Sequence, residues 1–379
     1  MRFLFLVQGE GRGHMTQAMT LCDMLEENGY KVCAVMVGAA NQRQIPSFFT
    51  QHFTCPVHEV DSPKFITDRY GKSVDIPATI IKNVLGSRRY LKSLGSLHRL
   101  VTECRPDVII NFYDFLGGIY AAYYKPSARY VVIGHQYLSH HPEFPFAPGK
   151  RSDKRLLLLN NHISALKADL KLALSFRPYP DHTVDRLKVV PPLVREAVKC
   201  QQVTDEGYLL VYMVNHGYAD QVVKWHKKNP DVRLHCFWHH KDYADAYSPH
   251  KNLTFHPLDG EKFMKMMACC RAYVSTAGFE SVCEAMYLGK PALLVPVEGH
   301  YEQACNAVDA TVSGAGVQAS RFDLDKLMQF LPHYDQAGDT FKKWVDSAEA
   351  HLLKLLTGSA SGQKDYRDTA EAKEELYYA

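Results

Sequence analysis

The chain has 379 residues, and its 44 Lys+Arg against 41 Asp+Glu leave a net charge of +3. With 46% hydrophobic and 22% charged residues it has the composition of a folded protein, which excludes a disordered, collagen-like or low-complexity chain, and its length suits two domains with separate cores. So small a charge argues against nucleic acid as a partner, and no apolar run reaches the ~18 residues of a membrane-spanning helix. The apolar run at residues 3–7 is too short for a signal peptide. Ten cysteines without a secretion signal therefore read as reduced, mostly buried thiols of a cytoplasmic protein. Cys269 and Cys270 are adjacent and no His/Cys set has zinc spacing, so no metal is expected.

In chain order, the apolar segment RFLFLV predicts a strand that runs into the turn GEGRGH. Met15, Ala18, Met19, Cys22 and Leu25 then recur at helical spacing up to Gly29. KVCAVMV (31–37) predicts the next strand, and a β-α-β unit of continuous apolar strands implies a parallel sheet covered on both faces. Further strands are expected at 53–60, 107–112, 128–134, 170–175 and 187–190, with helices at 76–104, from 115, and at 152–167. Pro191 and Pro192 break the pattern. It restarts with strands at 207–214, 232–238, 253–255, 272–276 and 291–297. Helices are expected over 260–270 and 279–289, from Tyr301, and at 323–331 and 338–356. The expected fold is α/β, with two doubly wound Rossmann-like domains facing a cleft: residues 1–191, a linker at 192–205, residues 206–357, and a polar tail at 358–379. Ligands of such sheets bind at the carboxyl ends of strands, so the loops after the strands are where function is sought.

The turn GEGRGH is not a dinucleotide fingerprint. The third glycine of G-x-G-x-x-G would fall at His14, and the second strand ends without a ribose-binding acid. What the turn offers is an imidazole at a helix N-terminus, where the helix dipole disfavours the imidazolium and keeps His14 neutral, as a general base needs. Asp114, just after the strand DVIINF, is the candidate to orient it; the alternative is that Asp114 caps the helix beginning at Phe115.

The densest signal is STAGFESVCEAMYLGKPALLVPVEGHYEQACNA (275–307). Backbone amides at the helix start near Phe279, with the hydroxyls of Ser275, Thr276 and Ser281, form a candidate diphosphate cradle. Glu284 is placed to accept ribose hydroxyls, and Glu302-Gln303 to bind sugar hydroxyls. Asn215, His216 and Gly217 after the strand at 207–214 could add diphosphate contacts, and Phe255, His256 and Leu258 could line a base pocket.

This segment resembles the nucleotide-sugar-binding motif of GT-B glycosyltransferases, and is similar both to the plant-type small-molecule enzymes and to MurG-like enzymes. The matching residues are Gly278, Ser281, Glu284-Ala285, Gly289 with Pro291, Pro296, Glu302-Gln303 and Asn306-Ala307. In the first half GRGH resembles the Gly-His turn of these enzymes and NFYDFLGG their acid-bearing segment, which implies His14 as base, beside Gly13, and Asp114 as its partner. Thr276, Phe279 and Glu280 stand where plant-type enzymes have His, Trp and Asn, and a carboxylate at Glu280 would repel phosphate unless it points elsewhere. Retaining GT-B enzymes carry two glutamates eight positions apart. Eight before Glu284 is Thr276, which favours inversion.

The resemblance implies an inverting, metal-independent transfer of a sugar from a nucleotide diphosphate sugar, UDP-linked, to an acceptor hydroxyl, with no cofactor. A nucleotide-sugar 2-epimerase or a non-catalytic GT-B partner subunit are the alternatives. The acceptor is expected against the first domain, where the loop 135–151, including His135 and Gln136, follows a strand. The basic, acid-free stretch 76–102 is a candidate for peripheral contact with anionic lipid, against the alternative of a solvated basic face.

Overall fold

The computed structural model describes residues 1–39, 45–63, 87–180, 186–213, 216–238, 245–334 and 338–358. The first half runs β1 (Arg2–Gln8), α1 (Gly13–Glu27), β2 (Lys31–Ala39), α2 (Ser47–Thr50), β3 (Val57–Asp61), α3 (Ser87–Cys104), β4 (Val108–Phe112), α4 (Phe115–Tyr124), β5 (Arg129–Gly134), α5 (Arg151–Ser164), β6 (Leu170–Leu174), β7 (Leu187–Val190) and α6 (Glu196–Lys199). The second runs β8 (Tyr208–Met213), α7 (Ala219–Lys228), β9 (Arg233–Trp238), β10 (Tyr247–His250), β11 (Leu253–His256), α8 (Gly260–Cys269), β12 (Ala272–Ser275), α9 (Phe279–Tyr287), β13 (Ala292–Leu294), α10 (Tyr301–Val312), β14 (Gly316–Gln318), α11 (Leu324–Phe330), α12 (Gly338–Asp346) and α13 (Ala348–Thr357).

The strands form two seven-stranded sheets, in the orders β3-β2-β1-β4-β5-β6-β7 and β10-β11-β9-β8-β12-β13-β14. All pairings are parallel except the antiparallel pair β10–β11. Continuous apolar strands such as Phe3–Val7 and Val108–Ile110 are buried on both faces by the helices, as the expected doubly wound architecture requires. The short edge strands β10 and β14 were not among the predicted elements. β14 spans three residues and β10 carries Pro249, so neither has a readable period. The single helix expected at 338–356 is two, α12 and α13, broken at Ser347.

In each sheet the strand order reverses at one point, between β1 and β4 and between β8 and β12, and these are the crevices where ligands of such sheets bind. The turns leading to His14 and Asp114 flank the first, and the turn after Ser275 flanks the second. The last helices return to the first sheet. Trp344 Nε1 donates to Ser175 O at 3.0 Å and Arg129 Nη1 to Leu355 O at 2.7 Å. Helix α3 buries Leu94 and Leu97 in the first core and leaves Arg88, Arg89, Lys92 and Arg99 in solvent, while residues 76–86 of the basic stretch lie outside the described residues. Among the described residues no helix is long and apolar enough to cross a membrane.

Candidate active site

His14 lies in the first turn of α1 and is buried, with 9% of its surface exposed. Its ring stacks on that of Tyr113 at 5.6 Å. Burial pushes its pKa down, which holds the imidazole neutral near physiological pH. Both ring nitrogens have partners. Nδ1 lies 3.1 Å from Gln17 Oε1, one helical turn on, and Nε2 lies 3.3 Å from Gln136 Nε2. An amide oxygen only accepts, so the Gln17 contact is a hydrogen bond in the tautomer that carries its proton on Nδ1.

The expected His14–Asp114 pair does not form. Asp114 caps α4: its Oδ1 accepts from the Leu116 amide and from Ser62 Oγ, each at 2.8 Å. Asn111 Oδ1 accepts from the Asp114 amide at 2.9 Å, and the left-handed Tyr113 (φ 64°) turns the chain between them. A buried carboxylate must find donors, and those at the start of its own helix are the nearest. Burial still pushes its pKa up to about 6. A Cβ on Gly38 would stand 1.9 Å from Asp114 Oδ2, so only glycine in β2 leaves the carboxylate its place. Together with Gln8, Glu10, Ser62 and Phe115 these two residues line a shallow pocket at the top of the first sheet.

Across the seam, β12 ends in Ser275 and is followed by Thr276, each 1% exposed. Ala277 turns the chain with φ 60°, Asn306 Nδ2 braces that turn by donating to Ala277 O at 3.2 Å, and α9 begins after Gly278 with no side-chain cap. The first amides of α9 are thus free of a capping side chain, and the buried Ser275 hydroxyl has no protein partner. An uncapped helix start beside a hydroxyl is the arrangement that receives an anion. Ser281 Oγ reaches Gly278 O at 3.4 Å.

The remaining second-half candidates are placed differently from expectation. Glu284 is bound on both oxygens by Arg195, at 2.7 and 3.0 Å, so it is first the counter-charge of a guanidinium from the segment joining the sheets. Gln303 Oε1 accepts from the Val297 amide at 2.9 Å, which holds the loop after β13. Phe255 is core, 1% exposed and packed on Trp238 at 4.4 Å, because β11 is an inner strand. Leu258 is half-buried against the core, and Gly217 lies exposed in a short 3-10 turn. Asn215 lies outside the described residues.

His135, expected on the acceptor side, is instead a seam residue. It is 3% exposed, donates through Nδ1 to Leu174 O at 2.8 Å and stacks on Phe279 of α9 at 4.1 Å. Its Nε2 lies 3.8 Å from Asp309 Oδ2, and Tyr179 donates to Asp309 Oδ1 at 2.9 Å. Gln136 does face His14, and it donates to Glu302 Oε1 at 3.0 Å, across the seam. Gly13 brings α1 against α9: a Cβ there would meet Glu280 Cγ at 3.3 Å.

Sequence reasoning missed Gln17, Arg195 and the Tyr179–Asp309 bond. Gln17 had a readable signal, since position i+3 shares a helix face with His14. Arg195 and Asp309 had none, because their partners are 89 and 130 residues away.

Two facing doubly wound sheets, with a histidine at the top of one and an uncapped helix start at the top of the other, define a glycosyltransferase of the GT-B fold. The chain belongs to glycosyl transferase family 1, whose family model matches residues 1–334. A search of the curated proteins finds no match. Solved structures share the fold at low identity. One is UGT2 of Phytolacca americana complexed with UDP-2-fluoro-glucose and pterostilbene: 13% identity, 98% of this chain, 99% of that one, TM-score 0.60. Another is the spinosyn rhamnosyltransferase SpnG complexed with thymidine diphosphate: 14% identity, 94% of this chain, 100% of that one, TM-score 0.60. A third is MurG of Acinetobacter baumannii: 16% identity, 94% of this chain, 99% of that one, TM-score 0.56.

Proposed function

We propose that this glycosyltransferase moves a sugar from a nucleotide diphosphate sugar, most simply a UDP-sugar, to an acceptor hydroxyl with inversion, using His14 as general base. The observation that carries the reading is the place of His14: buried, its pKa pushed down by burial, with Nδ1 beside Gln17 Oε1 and Nε2 facing Gln136 at the seam. A base so placed takes the proton of an acceptor hydroxyl as its oxygen bonds to the anomeric carbon and the bond to the nucleotide diphosphate breaks; the nucleotide leaves with the electron pair. The free amides at the start of α9, with the Ser275 and Thr276 hydroxyls, are suited to the charge on the leaving diphosphate. This stabilisation calls for no metal ion. SpnG solved with thymidine diphosphate and UGT2 solved with UDP-2-fluoro-glucose, both of the same fold, support this reading.

The test is transfer from a panel of nucleotide sugars to hydroxyl acceptors in the presence of a chelator, with the anomeric configuration of the product read by NMR. The reading expects an inverted product, undiminished by the chelator and abolished in His14→Ala. A retained configuration, loss of turnover on chelation, or full activity in His14→Ala would overturn the corresponding part.

A further inference from the structure

Two glutamates of the second half reach His14 through two glutamines of the first. Gln17 Nε2 donates to Glu280 Oε1 on α9, while Gln17 Oε1 faces His14 Nδ1. On the other side Gln136 Nε2 donates to Glu302 Oε1 on α10 and also faces His14 Nε2. A carboxylate without a proton only accepts, so Glu302, and Glu280 once pH exceeds the value of about 8 to which burial raises it, draws the NH₂ end of its glutamine toward itself. For Gln17 this turns the oxygen to His14 and requires a proton on Nδ1. For Gln136 it brings an N–H to His14 and requires a lone pair on Nε2. The two chains start on different helices, arrive on opposite sides of the ring and demand the same tautomer.

We propose that Gln17 and Gln136, set by Glu280 and Glu302, are the positioning residues that fix His14 as its Nδ1–H tautomer and leave Nε2 as the base nitrogen. The inference rests on the reading of His14 as general base and adds to it which groups of this chain orient the ring. It also accounts for Glu280, a carboxylate beside a helix start suited to anions. Its side chain points away from the helix start into α1, where Gly13 leaves it room. The base is thereby aligned from the half that carries the uncapped helix start, so its orientation depends on both sheets being in place.

The test reads the tautomer directly. Protein labelled with ¹⁵N in its histidine rings is examined by long-range proton–nitrogen NMR, and His14 is assigned by the signal missing in His14→Ala. The pH is set above the value of about 8 to which burial raises the Glu280 carboxyl, so that it is ionised. Wild type is expected to show one His14 species, with a protonated Nδ1 and a bare Nε2. Gln17→Met alone leaves Gln136 still donating to Nε2 and is expected to keep the wild-type species, while the double variant Gln17→Met/Gln136→Met, which removes both partners, is expected to show the two tautomers mixed. Melting curves confirm that the variants are folded. An Nε2–H wild type, or the single wild-type tautomer persisting in the Gln17→Met/Gln136→Met double variant, overturns the proposal. Full transferase activity in His14→Ala would overturn the base reading alone and leave the tautomer result standing.

Discussion

Two carboxylates near the site, Asp114 buried and Glu280 half-buried, are satisfied in opposite ways. Asp114, at the top of the first sheet, finds its donors within its own half, the Leu116 amide and Ser62. Glu280, at the start of α9, has its hydrogen bond to Gln17, in the other half. Burial raises both, Asp114 to about 6 and Glu280 to about 8. The difference is that Asp114 is held by local structure that forms with its helix, while Glu280 is held by the assembly of the two sheets. The first therefore serves the stability of one half, and the second is available to connect the halves.

The comparison can be broken most forcefully at the base. His14→Ala should lower kcat by about 10² to 10⁴, the usual worth of a positioned general base, while Asp114→Asn should leave the acid limb of the pH–rate profile where it was. A shift of that limb in Asp114→Asn, measured by steady-state kinetics across pH, would return Asp114 to the role of histidine partner.

Next in size is Arg195→Met, which strands the buried Glu284. Breaking a fully buried pair costs ~3–5 kcal/mol, and because Arg195 keeps 30% exposure we expect about 2–3 kcal/mol, read from denaturant unfolding. Asp114→Ala comes third: losing the cap of α4 should cost about 1 kcal/mol, read in the same way. The smallest effect sharpens the contrast through pH. The folded-state pKa of Glu280 lies above the ordinary 4.5, so its contribution to stability is complete below 4.5 and is lost as pH rises through about 8. Glu280→Gln cannot ionise, so its melting temperature should gain on the wild type as pH rises across that window. A constant difference across the window would show that Glu280 is ionised throughout.

The same contrast explains what could be read without a structure. The β-α-β order, the cap chemistry of Asp114 and the imidazole in the first turn of α1 are local, and each is written in residues a few positions apart. The loops at the carboxyl ends of the strands followed from them as the places to look for a site. The motif around Gly278 and Glu302-Gln303 pointed to a candidate second half of the site. It did not give the partners: Glu284 with Arg195, Glu302 with Gln136, and Glu280 with Gln17 are pairs of side chains far apart in the chain, formed only when the two sheets face each other. Phe255 was misjudged for a related reason. Its place just before a loop suggested a pocket, but β10 adds outside β11 and makes it an inner strand. That edge strand has too few residues to be seen in the pattern.

The central claim is that the second half binds a nucleotide diphosphate sugar while the base stands on the first. The most direct measurement is the melting temperature of wild type and His14→Ala with a panel of UDP-, GDP-, dTDP- and CDP-sugars. At a hundredfold excess over Kd, binding should stabilise the folded chain by about 2.7 kcal/mol. A shift with one class of nucleotide sugar, preserved in His14→Ala, is the predicted result. No shift with any of them would contradict the account.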